Sequence, residues 1–302
     1  MLDLIKQTFR EFMDDDAPRL AAALSYYTVF ALPPLLVLLI VLLGAVFEPS
    51  AVEQAMEGQV RSTIGAEAAD AIQTMIENAS RPGSGGLLAT LLSIAALLFG
   101  ASGAFAQLQR ALNTAWGVEP DPESGGVMGF ISKRVLSLGM ILAVGFLLVV
   151  FLVVSAVLSA VGESLTQFLP SGLSGALLQA LNAAISLAVI TVLFAAIFKV
   201  LPDAVIRWKD VWMGAAVTAL LFVVGKFALG FYISRSDPGS AYGAAGSLAV
   251  ILVWIYFSSM IVLLGAEFTQ VWARRKGQRV EPEEGAVRVR KAPDEAVPRG
   301  AV

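Results

Sequence analysis

Five stretches of this 302-residue chain run for 28 residues or more without a charged side chain. A helix needs about 20 mostly apolar residues to cross the hydrocarbon core of a bilayer. Each stretch is therefore long enough to span a membrane as a helix. A sixth apolar stretch lies between Asp210 and Asp237 and is interrupted only by Lys226 and Arg235.

The composition makes lipid the expected solvent for these stretches. Apolar residues make up 57% of the chain and charged residues 15%, against about 25% charged in an average soluble domain. The spans should be helical, because an open sheet leaves backbone groups unsatisfied in lipid and the alternation of barrel strands is absent. We predict an all-α, polytopic membrane helix bundle with six transmembrane helices. The predicted spans are about residues 20–47, 87–108, 135–161, 176–198, 211–233 and 244–268.

Lysine and arginine predict the orientation, because cytoplasmic loops are enriched in both. Of 21 such residues, seventeen lie in the N-terminal segment, the second and fourth loops and the tail, whereas the other three loops contain three. We therefore predict a cytoplasmic N-terminal segment over 1–19, a transmembrane domain over 20–272 and a cytoplasmic tail over 273–302. The tail mixes Arg, Glu and Pro with few large apolar residues, so we expect disorder there.

The first external loop, residues 48–86, is acidic and carries an apolar pattern of its own. Val52, Met56, Val60 and Ile64 follow each other at four-residue spacing, which forms one apolar stripe on a helix. We predict an amphipathic external helical segment. It either rests on the membrane surface or caps the outer mouth of the bundle.

Lys226 is the ionisable residue that lies deepest in a predicted span. A charge at this depth is costly and is a functional candidate. Lys226 lies about 10 Å below Ile233 at 1.5 Å per residue, so its long stem can also reach the outer interface. It is interpreted either as a snorkelling or paired residue or as a contact for a substrate or lipid headgroup. Tyr232 and Tyr242 are candidate neighbours on the same side.

Two adjacent prolines, Pro33 and Pro34, fall in the middle of the first span. Proline removes a backbone hydrogen bond and clashes with the preceding turn, so we expect a kink. Kinked spans line cavities in transporters, although kinks also serve packing. Tyr26 and Tyr27 precede the prolines by about two turns and are further candidate contacts.

Charged residues cluster near the predicted inner face. Asp15 and Asp16 precede the first span, where carboxylates can cap free amides and suit the positive helix end. Pairing with basic residues of the same face is one interpretation, and an inner gate or cation site is the other. The remaining candidates for this charge network are Arg110, Arg134, Lys199 and Glu267.

The chain contains no histidine and no cysteine. Thiolate zinc sites and cysteine nucleophiles are therefore excluded, and the commonest general base and metal ligand is absent. No two carboxylates stand at a helical spacing that supports a metal site. We expect no catalytic residue, no metal and no cofactor, and the net charge of −3 does not suggest a nucleic-acid partner.

Several short runs, taken in order and at their spacing, resemble the YihY/BrkB family over about residues 5–272. They are Leu20-Ala21-Ala22-Ala23-Leu24-Ser25-Tyr26-Tyr27-Thr28 with Pro33-Pro34, Arg110-Ala111-Leu112-Asn113 with Trp116, Lys199-Val200-Leu201-Pro202-Asp203, Tyr242-Gly243 with Gly246-Ser247, Trp254-Ile255-Tyr256, and Leu264-Gly265-Ala266-Glu267. The resemblance implies a six-span protein of the bacterial inner membrane. The family has also carried a ribonuclease name, which we reject because histidine metal ligands and a histidine acid–base pair are both absent.

Two hypotheses for function follow. The first is a transporter or flippase that moves a lipid, another amphiphile or a small solute, with membrane lipids as partners. The second is a non-transporting scaffold that binds envelope partners through the external loop. The sequence leaves open the substrate, the coupling ion and whether the chain forms a homo-oligomer.

Overall fold

The computed structural model describes residues 2–44, 66–80, 103–121, 173–236, 245–278 and 280–289, together with seven separate positions between 48 and 61. Most of the described residues are helical. The helices are α1 (Leu2–Asp14), α2 (Ala17–Gly44), α3 (Ala66–Ser80), α4 (103–116), α5 (Leu173–Val200), α6 (Trp208–Ser236) and α7 (Gly246–Arg275). The strands are β1 (Val118–Pro120), β2 (Ala204–Val205), β3 (Glu281–Pro282) and β4 (Ala286–Arg288).

Within the described ranges, three helices are long and apolar enough to cross a membrane: Ala183–Val200, Trp208–Ile233 and Gly246–Arg275. Only 17, 17 and 33% of the residues in their most apolar windows are buried inside the protein, as expected for helices that face lipid. They coincide with the fourth, fifth and sixth predicted spans. The α2 helix covers the first, whereas the third and most of the second lie outside the described residues. The count of six transmembrane helices and the orientation of the termini stay predictions.

Helix α7 is the centre of the described bundle, with α1, α2, α3 and α6 packed against it. Its crossing with α6 is reciprocal: a Cβ added at Gly265 would overlap the side chain of Thr218, and one added at Gly214 would overlap Thr269. Each threonine hydroxyl donates to the carbonyl four residues earlier in its own helix. Small residues at both contact points therefore let the two backbones approach closely.

The apolar core lies at one end of the bundle, where α4, α5 and α7 finish and α6 begins. We call it the basic end, because Arg110, Lys199, Arg207, Lys209 and Arg274 lie there. Phe198, Leu112 and Leu201 are fully buried in this core. It joins residues from six helices, so packing at the basic end holds the described bundle together.

The loop predicted to be external contains the helix α3, which packs on α2 and α7. Ala69 and Ile72 are buried, and Ile72 shares an apolar cluster with Leu36 and Ile251. This packing favours the cap over a helix that lies apart on the membrane surface. The predicted stripe of Val52, Met56, Val60 and Ile64 lies outside the described residues.

The disorder expected from residue 273 onward is wrong for 273–278 and 280–289. Helix α7 continues to Arg275, and the chain then forms a hairpin in which β4 pairs with β1 and β3 pairs with β2, both antiparallel. These partners come from loops after α4 and α5. Composition alone missed the hairpin because its strands are completed by distant segments rather than by their own apolar content.

Candidate functional site

Asp203 is held at the basic end by two amide side chains of α4. Asn113 Nδ2 donates to Asp203 Oδ2 at 2.8 Å, and Gln109 Nε2 donates to Oδ1 at 3.0 Å. The backbone N–H of Asp203 returns a bond to Asn113 Oδ1 at 2.8 Å. Asn113 and Gln109 are both buried. These bonds fix the loop between α5 and α6 against the end of α4.

The same loop is also held by the C-terminal hairpin and by the end of α5. Glu283 N–H donates to the carbonyl of Asp203 at 3.1 Å, and Lys199 Nζ donates to the carbonyl of Ile206 at 2.7 Å. The pKa of Glu283 is raised, mainly because its carboxyl group is partly buried and to a smaller extent because Asp203 repels its charge. Attraction to Lys199 opposes this shift. The hairpin thus places the carboxyl group of Glu283 near the carboxylate of Asp203, which already accepts two hydrogen bonds.

Asp210, in the first turn of α6, is a second carboxylate at the basic end and is only 1% exposed. Its Oδ1 lies 3.8 Å from Lys276 Nζ, and its N–H donates to the carbonyl of Arg207. With the amide of Gln278 in its satisfied orientation, the side-chain nitrogen donates to Asp210 Oδ2 at 2.8 Å and the oxygen accepts from Arg207 at 2.9 Å. A buried charge needs partners of this kind, and the segment after α7 supplies two of them.

The predicted inner-face residues that the structure describes are at this end, but several have partners other than those expected. Asp16 pairs with Arg19 at 3.1 Å, and its φ of 53° makes the turn between α1 and α2. Arg110 donates to Gln107 at 2.7 Å. Glu267 is 1% exposed and lies eight residues before the end of α7. The sequence had predicted a position level with the inner membrane interface. Asp15 lies in the same turn as Asp16, Lys199 reaches a carbonyl as described above, and Arg134 is outside the described residues.

A separate apolar cavity of about 300 Å³ lies between α2, α4 and α7. Its lining is mainly apolar, with Leu24, Phe105 and Trp254 among the larger side chains, and three hydroxyl residues add polar groups. The hydroxyl residues are Thr28, Ser258 and Ser259. An apolar cavity with a few polar groups is the usual composition of a ligand pocket.

The depth of this cavity follows from helix geometry. Thr28 lies about 16 Å along α2 from Ala17, and Ser259 lies about 24 Å along α7 from Arg275, at 1.5 Å per residue. A hydrocarbon core is about 30 Å thick. If α2 enters the membrane near Ala17, the cavity therefore lies close to the middle of the bilayer.

The predicted contact residues are spread over the bundle rather than gathered at the cavity. Tyr26 and Tyr27 pack edge to face with ring centroids 5.8 Å apart, and both rings are exposed on α2. Tyr232 is exposed near the far end of α6, and Lys226 is half-buried on the same helix. Tyr242 lies outside the described residues. The roles assigned to these residues stay predictions, as does the kink at Pro33 and Pro34, although α2 is helical through both.

Sequence reasoning missed Gln109, Asp210, Gln278 and Ser258 as site residues. Asn113 and Asp203 had been quoted only as parts of two separate motifs. One signal was present, since both motifs follow a predicted span on the predicted inner side. Polar residues that flank spans on one side of a membrane are close enough to meet. Among the residues that the structure describes, no group of three carboxylates could hold a metal ion.

Long apolar helices, mostly unburied, that meet at a basic end define a helical integral membrane protein. The family model described as virulence factor BrkB matches residues 8–290, and the chain belongs to this family. The resemblance found in the motifs is confirmed. The match also extends beyond residue 272 and includes the C-terminal hairpin.

Relatives carry general names. A UPF0761 membrane protein of Azotobacter vinelandii is 28% identical over 88% of this chain and 62% of its own length. One from Pseudomonas aeruginosa is 29% identical over 87% of this chain and 62% of its own length. This chain thus spans about 62% of those curated relatives. YfkH of Bacillus subtilis, named as ribonuclease-like, is 23% identical over 91% of this chain and 97% of its own. No solved structure matches the chain.

Proposed function

We propose that this protein is a transporter or flippase that moves a lipid, another amphiphile or a small apolar solute with one polar group. The observation that carries the proposal is the cavity between α2, α4 and α7. Its apolar lining suits an acyl chain or apolar body, and Thr28 and Ser258 offer hydroxyl groups to a polar group. The Ser259 hydroxyl donates to the carbonyl of Ile255 at 2.7 Å and can still accept a hydrogen bond. Its estimated depth is where many secondary transporters bind their substrates.

The test reconstitutes the full chain in liposomes and follows a fluorescent phospholipid and a panel of labelled solutes across the bilayer. Ser258→Leu adds bulk to the cavity wall. Overpacking of this kind costs about 1–3 kcal/mol, which corresponds to roughly 5- to 150-fold slower movement if the substrate occupies the cavity. Val224→Leu adds bulk to an exposed position of α6 and serves as the matched control.

The outcomes test the role of the cavity and the transport function separately. Full transport in Ser258→Leu, with thermal stability equal to the parent, would remove the cavity from the mechanism. No movement of any lipid or solute in the panel would count against transport itself. Lys226→Ala is a second variant, expected to slow movement if Lys226 contacts the substrate and to leave it unchanged if Lys226 only snorkels.

The same proposal places the protein in the bacterial inner membrane with both termini in the cytoplasm. The basic end would then be cytoplasmic and α3 external. Single reporter fusions after residues 121 and 289 should both report the cytoplasm, and a fusion near residue 80 should report the outside. External reporters at both of the first two positions would reverse the orientation, and an external reporter at only one of them would contradict the predicted number of spans between them.

Ribonuclease activity is not part of the proposal. The ribonuclease term comes from the name of YfkH. This chain has neither the histidines for a metal-dependent phosphodiester reaction nor a histidine acid–base pair. Purified protein should leave RNA intact with or without divalent metal. RNA cleavage that co-purifies with the protein and disappears in a single point variant would overturn this exclusion.

A membrane scaffold is the second candidate. It is favoured by a groove of about 280 Å³ between α2, α3 and the preceding loop, lined by Glu53, Glu57 and Glu77 beside Leu36 and Ile72. A groove with both carboxylates and apolar residues suits a basic, partly apolar segment of a partner. Cross-linking should then recover one reproducible partner, which is lost when residues 48–86 are replaced by a neutral linker.

A further inference from the structure

Helix α1 has two adjacent apolar rows with different surroundings. Leu4, Thr8 and Phe12 are buried, and Phe12 belongs to the core of the basic end. The second row is exposed: Leu2 is 75% exposed, Ile5 62%, Phe9 60% and Met13 50%. Their spacing of three, four and four residues forms one face of the helix. An exposed apolar face of this size marks a surface that binds something other than water.

We infer that α1 lies in the plane of the membrane–water interface, with Leu2, Ile5, Phe9 and Met13 in the lipid and Lys6 and Arg10 on anionic headgroups. The chain would take this position whether or not it transports a substrate.

The position of α1 in the chain brings it to the membrane. Helix α1 ends at Asp14 and α2 begins at Ala17, so the two ends are at most about 11 Å apart along the chain. The α2 helix carries the first predicted span. Helix α1 is also tied to the end of α7, because Arg274 pairs with Glu11 at 3.1 Å and Arg275 donates to Gln7 at 3.1 Å. These contacts hold α1 beside the bundle with its second row facing outward.

Exposed tryptophans place the interface at the same level, independently of α1. Trp208 and Trp212 are 53% and 45% exposed in the first two turns of α6, and tryptophan is enriched where membranes meet water. The start of α6 is joined to the end of α7 by the Asp210–Lys276 pair. Since α1 is bound to that same end of α7, the tryptophans and α1 occupy one layer.

The basic residues of α1 suit an anionic lipid surface, because its three carboxylates lie away from the exposed row: Glu11 pairs with Arg274, and Asp3 and Asp14 are on the polar side of the helix. Lys6 and Arg10 are exposed one turn apart, and at 100° per residue they border the exposed row on the side away from α7. Their long stems can follow the apolar face while the charged groups reach phosphates. An amphipathic helix with basic residues beside its apolar face is the usual form of an interfacial anchor.

The test uses the absence of cysteine from the chain, since one introduced cysteine can be labelled without background. Ile5→Cys and Phe9→Cys place an environment-sensitive fluorophore on the exposed row, and Asp3→Cys and Asp14→Cys are matched exposed positions of the same helix on its polar side. The full chain is placed in nanodiscs of phosphatidylglycerol and phosphatidylcholine. A lipid spin label near the top of the acyl chain should quench positions 5 and 9 several-fold more than 3 and 14, and aqueous iodide should show the reverse.

Other results overturn the inference. Strong iodide quenching at all four positions would place the face in water. Protection of positions 5 and 9 from both quenchers, together with a dimer by size, would assign the face to a second copy of the chain. Protection without a dimer would assign it to this chain's own segments.

The headgroup contact has its own readout. In mixed nanodiscs, a spin label carried on phosphatidylglycerol should quench the Phe9→Cys probe more than one carried on phosphatidylcholine, by several-fold if each basic residue contributes about its usual attraction. The ratio should fall to one in a chain that also carries Lys6→Gln and Arg10→Gln. A ratio of one in the unaltered background would overturn the preference for anionic lipid.

Discussion

Asn113 and Asp203 form a closed pair of hydrogen bonds across 90 positions of sequence: the amide of Asn113 donates to the carboxylate at 2.8 Å and accepts from the Asp203 backbone at 2.8 Å. One side chain thus satisfies a charged group and a backbone N–H of the same residue. The pair joins the end of α4 to the loop between α5 and α6.

Asn113→Leu should destabilise the protein by about 1–3 kcal/mol, because it removes two buried hydrogen bonds, one to the carboxylate of Asp203 and one to its backbone N–H. The measurement is thermal or denaturant unfolding of the purified protein in detergent. Thr114→Ala is the control, since Thr114 is exposed and its hydroxyl bonds only to the carbonyl of Arg110. Equal stability of the two variants would contradict a structural role for the pair.

Gly265→Ala should force α6 and α7 apart, because its new Cβ would lie 2.8 Å from Thr218 Cβ. We expect a loss of about 1–3 kcal/mol, the usual cost of overpacking, read as a lower unfolding midpoint. Gly230→Ala on α6 is the control, because nothing lies within 4 Å of its added Cβ. Thr218→Gly in the same chain should restore part of the lost stability. No rescue would mean that the two residues do not meet.

Glu283 predicts a pH dependence of stability. Its pKa is raised in the folded protein, so between the ordinary and the raised pKa the folded state binds more protons than the unfolded state. Stability therefore falls as the pH rises through this window, and the loss is complete above the raised pKa. Glu283→Gln should remove this part of the pH dependence and stabilise the protein at neutral pH. Glu284→Gln, in the adjacent turn, is the control for the loss of one charge.

Ending the chain after Gly277 should destabilise the basic end, because it removes β3, β4 and the amide of Gln278 that binds Asp210. Ending it after Val289 keeps all of these contacts. We expect the shorter chain to unfold at a lower temperature, by about 2–4 °C for each kcal/mol lost, and to be cut faster by protease between α5 and α6. Equal behaviour of the two truncated chains would show that the hairpin contributes no stability.

The apolar spans were predictable because their signal is local. The predicted spans at α5 and α6 agree with the observed helices to within three residues at each end, whereas α7 continues seven residues past its predicted span. The agreement arises because apolar length alone decides whether a segment can cross lipid. In the loop, the apolar spacing did not indicate the described helix Ala66–Ser80, and the helix expected over residues 52–64 stays a prediction because its stripe residues lie outside the described residues. The charge pairs were not predictable, because sequence showed which charges share a face but not which ones touch.

The sequence by itself determined that this is a helical membrane protein, about where its later spans lie, and to which family it belongs. Only the tertiary structure decided that Asn113 meets Asp203, that Thr218 packs on Gly265, and that a segment of polar composition forms strands. The physical reason is the distance along the sequence between the residues that determine each feature. Transfer of a span into lipid depends on the residues of that span, whereas a hydrogen bond, a close helix crossing and a strand ladder each require a partner that chain folding brings from far away.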